Sequence, residues 1–202
     1  MASFRIEYTP LKHFSKRLAE ISQVQGITKD LENQDVRKLS TKIKFLHASY
    51  TIFLVALWQA FWVKLSKEAF EFLIHSNPHP TFDENLRAQF ENTLKRFNTP
   101  NAENIDNLIK AATGINKLSN DWIVEGLSNK AIKQRLKNIL EIRHKIAHTG
   151  YSSTPLSYAE SYDHMNFLFL LAEVSSGIIE KHVEALTGKP LFGPDTVSPK
   201  KN

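Results

Sequence analysis

The longest uncharged run in the sequence, Phe45 to Val63, constrains the fold of this chain more than any other feature. Lys42 and Lys44 precede it and Lys64 follows it. A run of 19 residues is long enough to cross a thin bilayer, but the central helix of an all-helical bundle has the same pattern because neighbouring helices cover all its sides. The apolar pattern continues beyond Lys64, past bilayer thickness, so we predict a long helix buried within a protein.

The N-terminal segment gives no sign of export. Residues 1–18 alternate charged and apolar side chains and contain no apolar run of the length found in secretory signals. We therefore expect a cytoplasmic protein that does not associate with a membrane.

Composition excludes several classes of protein. The chain has no cysteine, which rules out disulfide frameworks, iron–sulfur clusters, thiolate zinc sites and cysteine nucleophiles. Only 7 glycines and 8 prolines occur in 202 residues, which argues against turn-rich sandwiches and barrels and against Gly-rich nucleotide-binding folds. Catalysis would have to use His, Ser, Thr, Tyr, Lys or carboxylates.

Apolar periodicity and helix-breaking residues divide the chain into helices, with no convincing strand and no internal repeat. Gly26 is expected to interrupt the first helix, and a capping box of Thr81 and Glu84 is expected to open the third. The predicted segments are about 10–38, 40–76, 81–97, 102–113, 129–147 and, starting at 154 or 157, on to 187. We predict an all-α, up-and-down four-helix bundle with a helical insertion between its second and third long helices. Residues 1–188 would form a single domain and residues 189–202 a disordered tail.

Positive charge is concentrated in one predicted helix. The stretch from Ser128 to His148 contains six basic residues against the single acid Glu141, which accounts for the whole formal excess of +5. The basic residues are Lys130, Lys133, Arg135, Lys137, Arg143 and Lys145. They form either an ordinary solvated face, favoured by the negative end of the helix, or a binding surface for an anionic partner.

Arg143 interrupts the apolar face of this helix. At about 100° per residue, it falls near the middle of the apolar set. That set is Ile132, Leu136, Ile139, Leu140, Ile146 and Ala147. Because an unpaired arginine is costly to bury, Arg143 either forms a buried ion pair that fixes helix register or holds an anion at a groove or subunit interface.

The residues around Arg143 carry reactive groups. Glu141, His144 and His148 lie within eight residues, next to the helix stop at Gly150. Imidazole transfers protons near neutral pH and guanidinium holds phosphate oxygens bidentately, which suits phosphodiester cleavage without a metal. On a regular helix Arg143 and His148 point about 140° apart. Either the last turn unwinds or a second copy of the helix completes the site.

At these residues the sequence resembles the HEPN superfamily, most closely its RiboL-PSP-HEPN branch. The motif that carries the resemblance is Arg-x4-His, from Arg143 to His148. The segment Phe97 to Ile105 resembles the insertion of that branch, and Leu57 to Phe61 resembles part of its second helix. Gln59 stands where related HEPN groups often have glutamate. The resemblance spans roughly Phe45 to His182.

The resemblance implies a HEPN-like bundle that dimerises and joins two Arg-x4-His motifs into a metal-independent endoribonuclease site without a cofactor. His148 would move the proton of the ribose 2′-hydroxyl or of the leaving 5′-oxygen, Arg143 would stabilise the phosphorane, and His144 would assist. The products would be 2′,3′-cyclic phosphate and 5′-hydroxyl ends. The RNA-binding residues would be Lys130, Lys133, Lys137 and Lys145. Such ribonucleases commonly serve as toxins or in anti-phage defence, with an antitoxin or defence protein as partner.

Two other classes remain open. Glu141-x-x-His144 has the ligand spacing of di-metal carboxylate bundles, but the sequence contains no second copy of that spacing. The other class is a HEPN-type module that binds RNA or a protein without cleaving. We interpret the remaining histidines as surface or hydrogen-bonded core residues, with His47 in the bundle interior as the clearest case.

Overall fold

The computed structural model describes residues 9–34, 37–76, 80–150 and 157–193 of the chain. These residues form seven α-helices and one short 3-10 helix, and their nearest approach to a strand is an isolated bridge between Val124 and Leu127. The helices are α1 (Pro10–Ile21), α2 (Gln23–Glu32), α3 (Leu39–Ser76), α4 (Pro80–Arg96), α5 (Ala102–Thr113), the 3-10 helix (Leu118–Asp121), α6 (Asn129–Thr149) and α7 (Tyr158–Thr187). The all-α prediction is confirmed.

A bundle formed by α1, α3, α6 and α7 is the core of the molecule, and α2 extends α1 along it. Helix α3 lies at the centre and packs against α1, α5, α6 and α7. Helices α4 and α5 and the 3-10 helix form the predicted insertion between α3 and α6. The chain is therefore an all-α bundle with a helical insertion.

The uncharged run lies on α3, the helix of the described residues that is long and apolar enough to span a bilayer. Half of its most apolar window, whose mean hydropathy is 1.3, is buried inside the structure. Trp58, Trp62 and Leu65 have no exposed surface, and the two indole rings meet edge to face at 5.3 Å. The helix is therefore long, as its sequence predicts, but it is only half buried, and Phe45 and Phe53 on it are 70% and 56% exposed.

Several helix ends lie where capping residues in the sequence predict them. Gly150 follows α6 with a left-handed φ of 75°, and its N–H donates to the carbonyl of Ile146 at 2.9 Å. Ser157 and Glu160 form a capping box at the start of α7. At both ends the capping groups satisfy backbone atoms that the helix leaves unpaired.

Three predicted boundaries differ from the structure. The first helix breaks at Ser22, and Gly26 lies inside α2, because one glycine within a helix costs only about 1 kcal/mol. Helix α4 begins at Pro80, one residue before the predicted cap Thr81. Leu191, in the segment predicted as a tail, is buried against the core, while residues 194–202 lie outside the described residues.

Glu68 is an acid in the apolar core of α3. Its side chain is 14% exposed, Lys64 Nζ lies 3.9 Å from its Oε1, and its buried Oε2 has no hydrogen-bond partner among the described residues. Burial raises the pKa of Glu68 to about 7, and the nearby Lys64 offsets only part of that shift. The folded state therefore favours the protonated acid.

We expect the free energy of unfolding to fall as pH rises from about 4.5 to about 7, because the folded chain holds the Glu68 proton over that window while the unfolded chain releases it. Glu68→Gln should remove this fall and be more stable than wild type above pH 7 by on the order of 2 kcal/mol. Urea unfolding across this pH range measures the effect, with the exposed Glu173→Gln as control. A Glu68→Gln variant that keeps the wild-type pH profile would contradict the assignment.

Candidate functional site

The orientation of α6 follows from contacts at two levels. Near its start, Asn129 Nδ2 donates to the carbonyl of Trp122 at 3.2 Å, and the Trp122 indole N–H donates to Ser175 Oγ at 3.0 Å. Further along, Arg135 pairs with Asp163. As the residue number rises along α6 it falls along α7, so the two helices are antiparallel. The C-terminal end of α6 therefore lies at the end of the bundle where α7 begins.

One side of α6 is anchored in the core, as the periodicity predicts. Ile132, Leu136, Ile139, Leu140 and Ile146 are buried. The prediction is wrong for Ala147, which is exposed because none of the described helices covers this edge of the last turn. Arg143 is half-buried on the core-facing side and has no hydrogen bond or ion pair with any residue that the structure describes. This location leaves the guanidinium partly open to solvent at the rim of the core.

A second side of α6, centred about 110° around the helix from Arg143, carries a row of cationic and imidazole side chains. Within about 60° of one another on the helix lie Lys130, Lys133, Lys137, His144 and His148, which we call the α6 stripe. All are exposed except the half-buried Lys133, whose Nζ donates to Asn120 Oδ1 at 2.8 Å. Lys145 is also exposed, beside the stripe. The stripe therefore presents positive charge and titratable rings to solvent along the full length of the helix.

His144 and His148 form the chemically reactive part of the stripe. They are one helical turn apart, and their ring centroids lie 4.2 Å from each other at an interplanar angle of 58°. Neutral imidazole accepts a proton and imidazolium donates one, so adjacent rings can supply both forms at one location. This pair can act as an acid and base toward a bound ligand.

Arg143 and His148 do not converge within one chain. Helix α6 continues regularly to Thr149, whose Oγ1 donates to the carbonyl of Lys145 at 2.8 Å. The alternative in which the last turn unwinds is therefore wrong, because the turn keeps its hydrogen bonds up to the Gly150 stop. Arg143 and His148 point about 140° apart. Of the two routes to a joint site, the one that uses a second copy remains.

Three of the six basic residues of α6 have partners, and besides Lys133 and Lys137 these include Arg135, which holds α6 against α7. Arg135 pairs with Asp163 of α7, and its guanidinium lies 4.5 Å from the centroid of the Phe167 ring. This combination of ion pairing and cation–π contact holds α6 against α7. The local charge available to a ligand is therefore smaller than the sequence indicates, and spacing alone did not reveal the difference.

His47 is a satisfied core histidine, as interpreted from the sequence. It is buried, its Nδ1 lies 3.3 Å from Ser161 Oγ, and burial lowers its pKa. His182 Nε2 lies 3.1 Å from the carbonyl oxygen of Thr113.

Gln59 has a structural role in α3. It donates from Nε2 to the carbonyl of Phe97 at 3.0 Å, so this residue fastens the insertion to α3.

Within the described parts of the chain, no group of three or more His, Asp or Glu side chains could hold a metal ion. Glu141 lies 3.8 Å from Lys137 Nζ, in an exposed ion pair along the helix. The Glu141 and His144 spacing therefore lacks the further carboxylates that a di-metal site requires.

Comparison with protein-family models gives a match to the family described as RiboL-PSP-HEPN over residues 12–181, which is most of the chain. Neither the curated proteins nor the solved structures contain a match. The matched region extends from α1 nearly to the end of α7 and includes the insertion and the whole of α6.

Proposed function

The chain belongs to the RiboL-PSP-HEPN family, and from this premise we propose that it is a metal-independent endoribonuclease. At the family level it is a HEPN-type ribonuclease or RNA-binding module. The observation that carries the finer proposal is the α6 stripe, where the His144 and His148 rings stand side by side at the end of an exposed row of lysines. Lysine holds the phosphate backbone, and paired imidazoles supply proton transfer next to it.

In the proposed reaction the ribose 2′-oxygen attacks the adjacent phosphorus and the bond to the 5′-oxygen breaks. His148 takes the 2′-hydroxyl proton or returns a proton to the leaving 5′-oxygen, and His144 assists as the neighbouring ring. Arg143 stabilises the negative charge that develops on the phosphorane oxygens. The products are a 2′,3′-cyclic phosphate and a 5′-hydroxyl.

The proposal includes a homodimer, because one regular helix directs Arg143 and His148 about 140° apart. A second copy would bring the arginine of one protomer near the histidines of the other. We further propose a cytoplasmic toxin or anti-phage effector whose activity an antitoxin or defence protein controls.

The test is incubation of purified protein with mixed single-stranded RNA in EDTA. We expect fragments with cyclic-phosphate and 5′-hydroxyl ends, and no cleavage of DNA or of 2′-O-methyl RNA, since both lack the attacking hydroxyl. Intact RNA, or fragments with 5′-phosphate ends, would contradict the proposal.

The second candidate is a HEPN-type module that binds RNA or a protein without cutting. The separation of Arg143 and His148 within one chain favours it if the protein is monomeric. Sedimentation at micromolar concentration distinguishes the two candidates, because the composite site requires a dimer.

The stripe lysines should govern how RNA binding depends on salt. We expect Lys130→Ala and Lys137→Ala each to reduce the slope of log affinity against log salt concentration by about one, since each lysine releases one counterion from the RNA. Binding of 2′-O-methyl RNA by fluorescence anisotropy measures the slope, with the exposed Lys16→Ala of α1 as control. If the slopes of both variants match that of the control, the proposal that the stripe binds RNA is contradicted.

A further inference from the structure

A polar cavity of about 600 Å³ opens between α4 and α5, in the insertion. Its polar lining consists of four amide side chains, a hydroxyl and a guanidinium. These belong to Gln89, Asn92, Asn104, Asn107, Thr93 and Arg96, and we call the cavity the amide cleft. Its volume lies within the range of small-ligand sites, so it is large enough for a single nucleotide.

Most polar side chains of the amide cleft are exposed to solvent and have no partner among the described residues. Gln89, Asn92 and Asn107 make no side-chain hydrogen bond with any residue in the described parts of the chain. Asn104 uses its Nδ2 to donate to the carbonyl of Thr99 at 2.8 Å, but its Oδ1 accepts no bond from these residues. Arg96 forms no ion pair with them either. Donors and acceptors therefore converge on one open space beside an unpaired cation.

The backbone is anchored on the loop and α5 side of the cleft. Asn101 caps α5 by accepting from the backbone N–H of Asn104 at 2.8 Å. The loop between α4 and α5 is tied to α3, because Trp58 Nε1 donates to the carbonyl of Pro100 at 3.1 Å and Gln59 donates to that of Phe97. These bonds hold the loop and the start of α5 in place, so the backbone on this side of the cleft is ordered before a ligand binds.

The chemistry of the cleft matches one nucleotide better than a simple anion. Each amide offers a donor and an acceptor in one plane, which is the arrangement that reads the edge of a nucleobase. Arg96 supplies the charge and geometry that a phosphate requires. Phe97 also lines the cleft, but it is buried in the core and presents little surface to a ligand. No lining residue is acidic.

We propose that the amide cleft binds one unpaired nucleotide of an RNA chain, with its amides on the base edge and Arg96 on a phosphate. This inference rests on RNA being the ligand of the protein, as in the proposed function. Gln59 of α3 lies beside the cleft, and His47, twelve residues earlier on α3, lies beside the start of α7. Twelve helical residues span about 18 Å, so the cleft and the start of α7 are about 18 Å apart along α3. One nucleotide therefore cannot reach both the cleft and the His144 and His148 end of the α6 stripe. The cleft is therefore an accessory contact that selects which RNA is held.

The experiment compares base-bearing and abasic 2′-O-methyl oligonucleotides of equal length, which resist cleavage and carry the same phosphates. Binding is measured by fluorescence anisotropy with A, C, G and U homopolymers. We expect the best homopolymer to bind wild type roughly 5- to 150-fold more tightly than the abasic chain. In the double variant Asn92→Ala/Asn107→Ala this ratio should fall toward one, whereas the exposed Asn166→Ala of α7 should keep the wild-type ratio.

The outcomes separate the inference from the proposed function. If wild type still cuts RNA but binds abasic and base-bearing chains equally, the inference that the cleft binds a nucleotide is overturned, while the proposed nuclease activity stands. A base-dependent ratio that the double variant loses supports the cleft even where no cleavage occurs. A double variant that is folded by circular dichroism and retains the ratio overturns the inference. Failure of wild type to bind any of the RNAs overturns both proposals.

Discussion

His148→Ala should reduce the rate of RNA cleavage by about 100- to 10,000-fold, because it removes the proposed proton-transfer group. Arg143→Ala should reduce it by about 100- to 1,000-fold, because the phosphorane loses its positively charged partner. Single-turnover cleavage of a labelled RNA in EDTA measures both rates. Arg143→Lys keeps the charge but loses the bidentate guanidinium, so it should recover only part of the activity.

Matched controls separate catalysis from folding. His13→Ala replaces an exposed histidine on α1, and Arg17→Ala replaces an exposed arginine on the same helix. Both should cut RNA at the wild-type rate. Because His148 is exposed and Arg143 is half-buried, the free energy of unfolding of all four alanine variants should stay within about 1 kcal/mol of the wild-type value. Wild-type cleavage by either site variant would eliminate the Arg143 and His148 mechanism.

Trp58→Ala should lower the free energy of unfolding by about 3–5 kcal/mol, since a large buried aromatic leaves a cavity that its neighbours cannot fill. Trp58 has no exposed surface, and its ring lies 5.8 Å from that of Phe61 and 6.2 Å from that of Phe14. The variant also leaves the Pro100 carbonyl without the indole N–H that it accepts. Urea unfolding followed by circular dichroism measures the loss.

Phe53→Ala is the matched control on the same helix. Its side chain is 56% exposed, so its removal should change stability by no more than about 0.5 kcal/mol. Comparing Trp58→Ala with Phe53→Ala tests whether neighbouring helices cover the Trp58 side of the uncharged run. If Trp58→Ala is as mild as Phe53→Ala in aqueous solution, the buried packing of α3 described above is wrong.

Local chemistry determined much of the fold from the sequence. The end of α6 at Gly150 and the start of α7 at Ser157 depend on a few neighbouring residues, which the sequence displays directly. Gly26 shows the limit of such signals, because a glycine only weakens a helix and the rest of α2 outweighs it. The break came instead at Ser22, which the apolar periodicity did not mark.

The candidate site was also only partly predictable from the sequence. Helical periodicity was enough to show that Arg143 and His148 point about 140° apart on α6. Periodicity could not tell that Asp163 and Phe167 engage Arg135, since those partners lie on another helix. It gave no sign of the amide cleft either, because that cavity exists only where α4 and α5 pack together.

The sequence by itself determined the helices, most of their ends and the concentration of positive charge on one of them, because these follow from interactions within a few residues. Only the tertiary structure decided which of those charged side chains form contacts with other helices. It also decided that Ala147 is exposed, and that Glu68 is buried in an environment that raises its pKa. Burial and pairing depend on residues far apart in the chain, and no local pattern records which of them will meet.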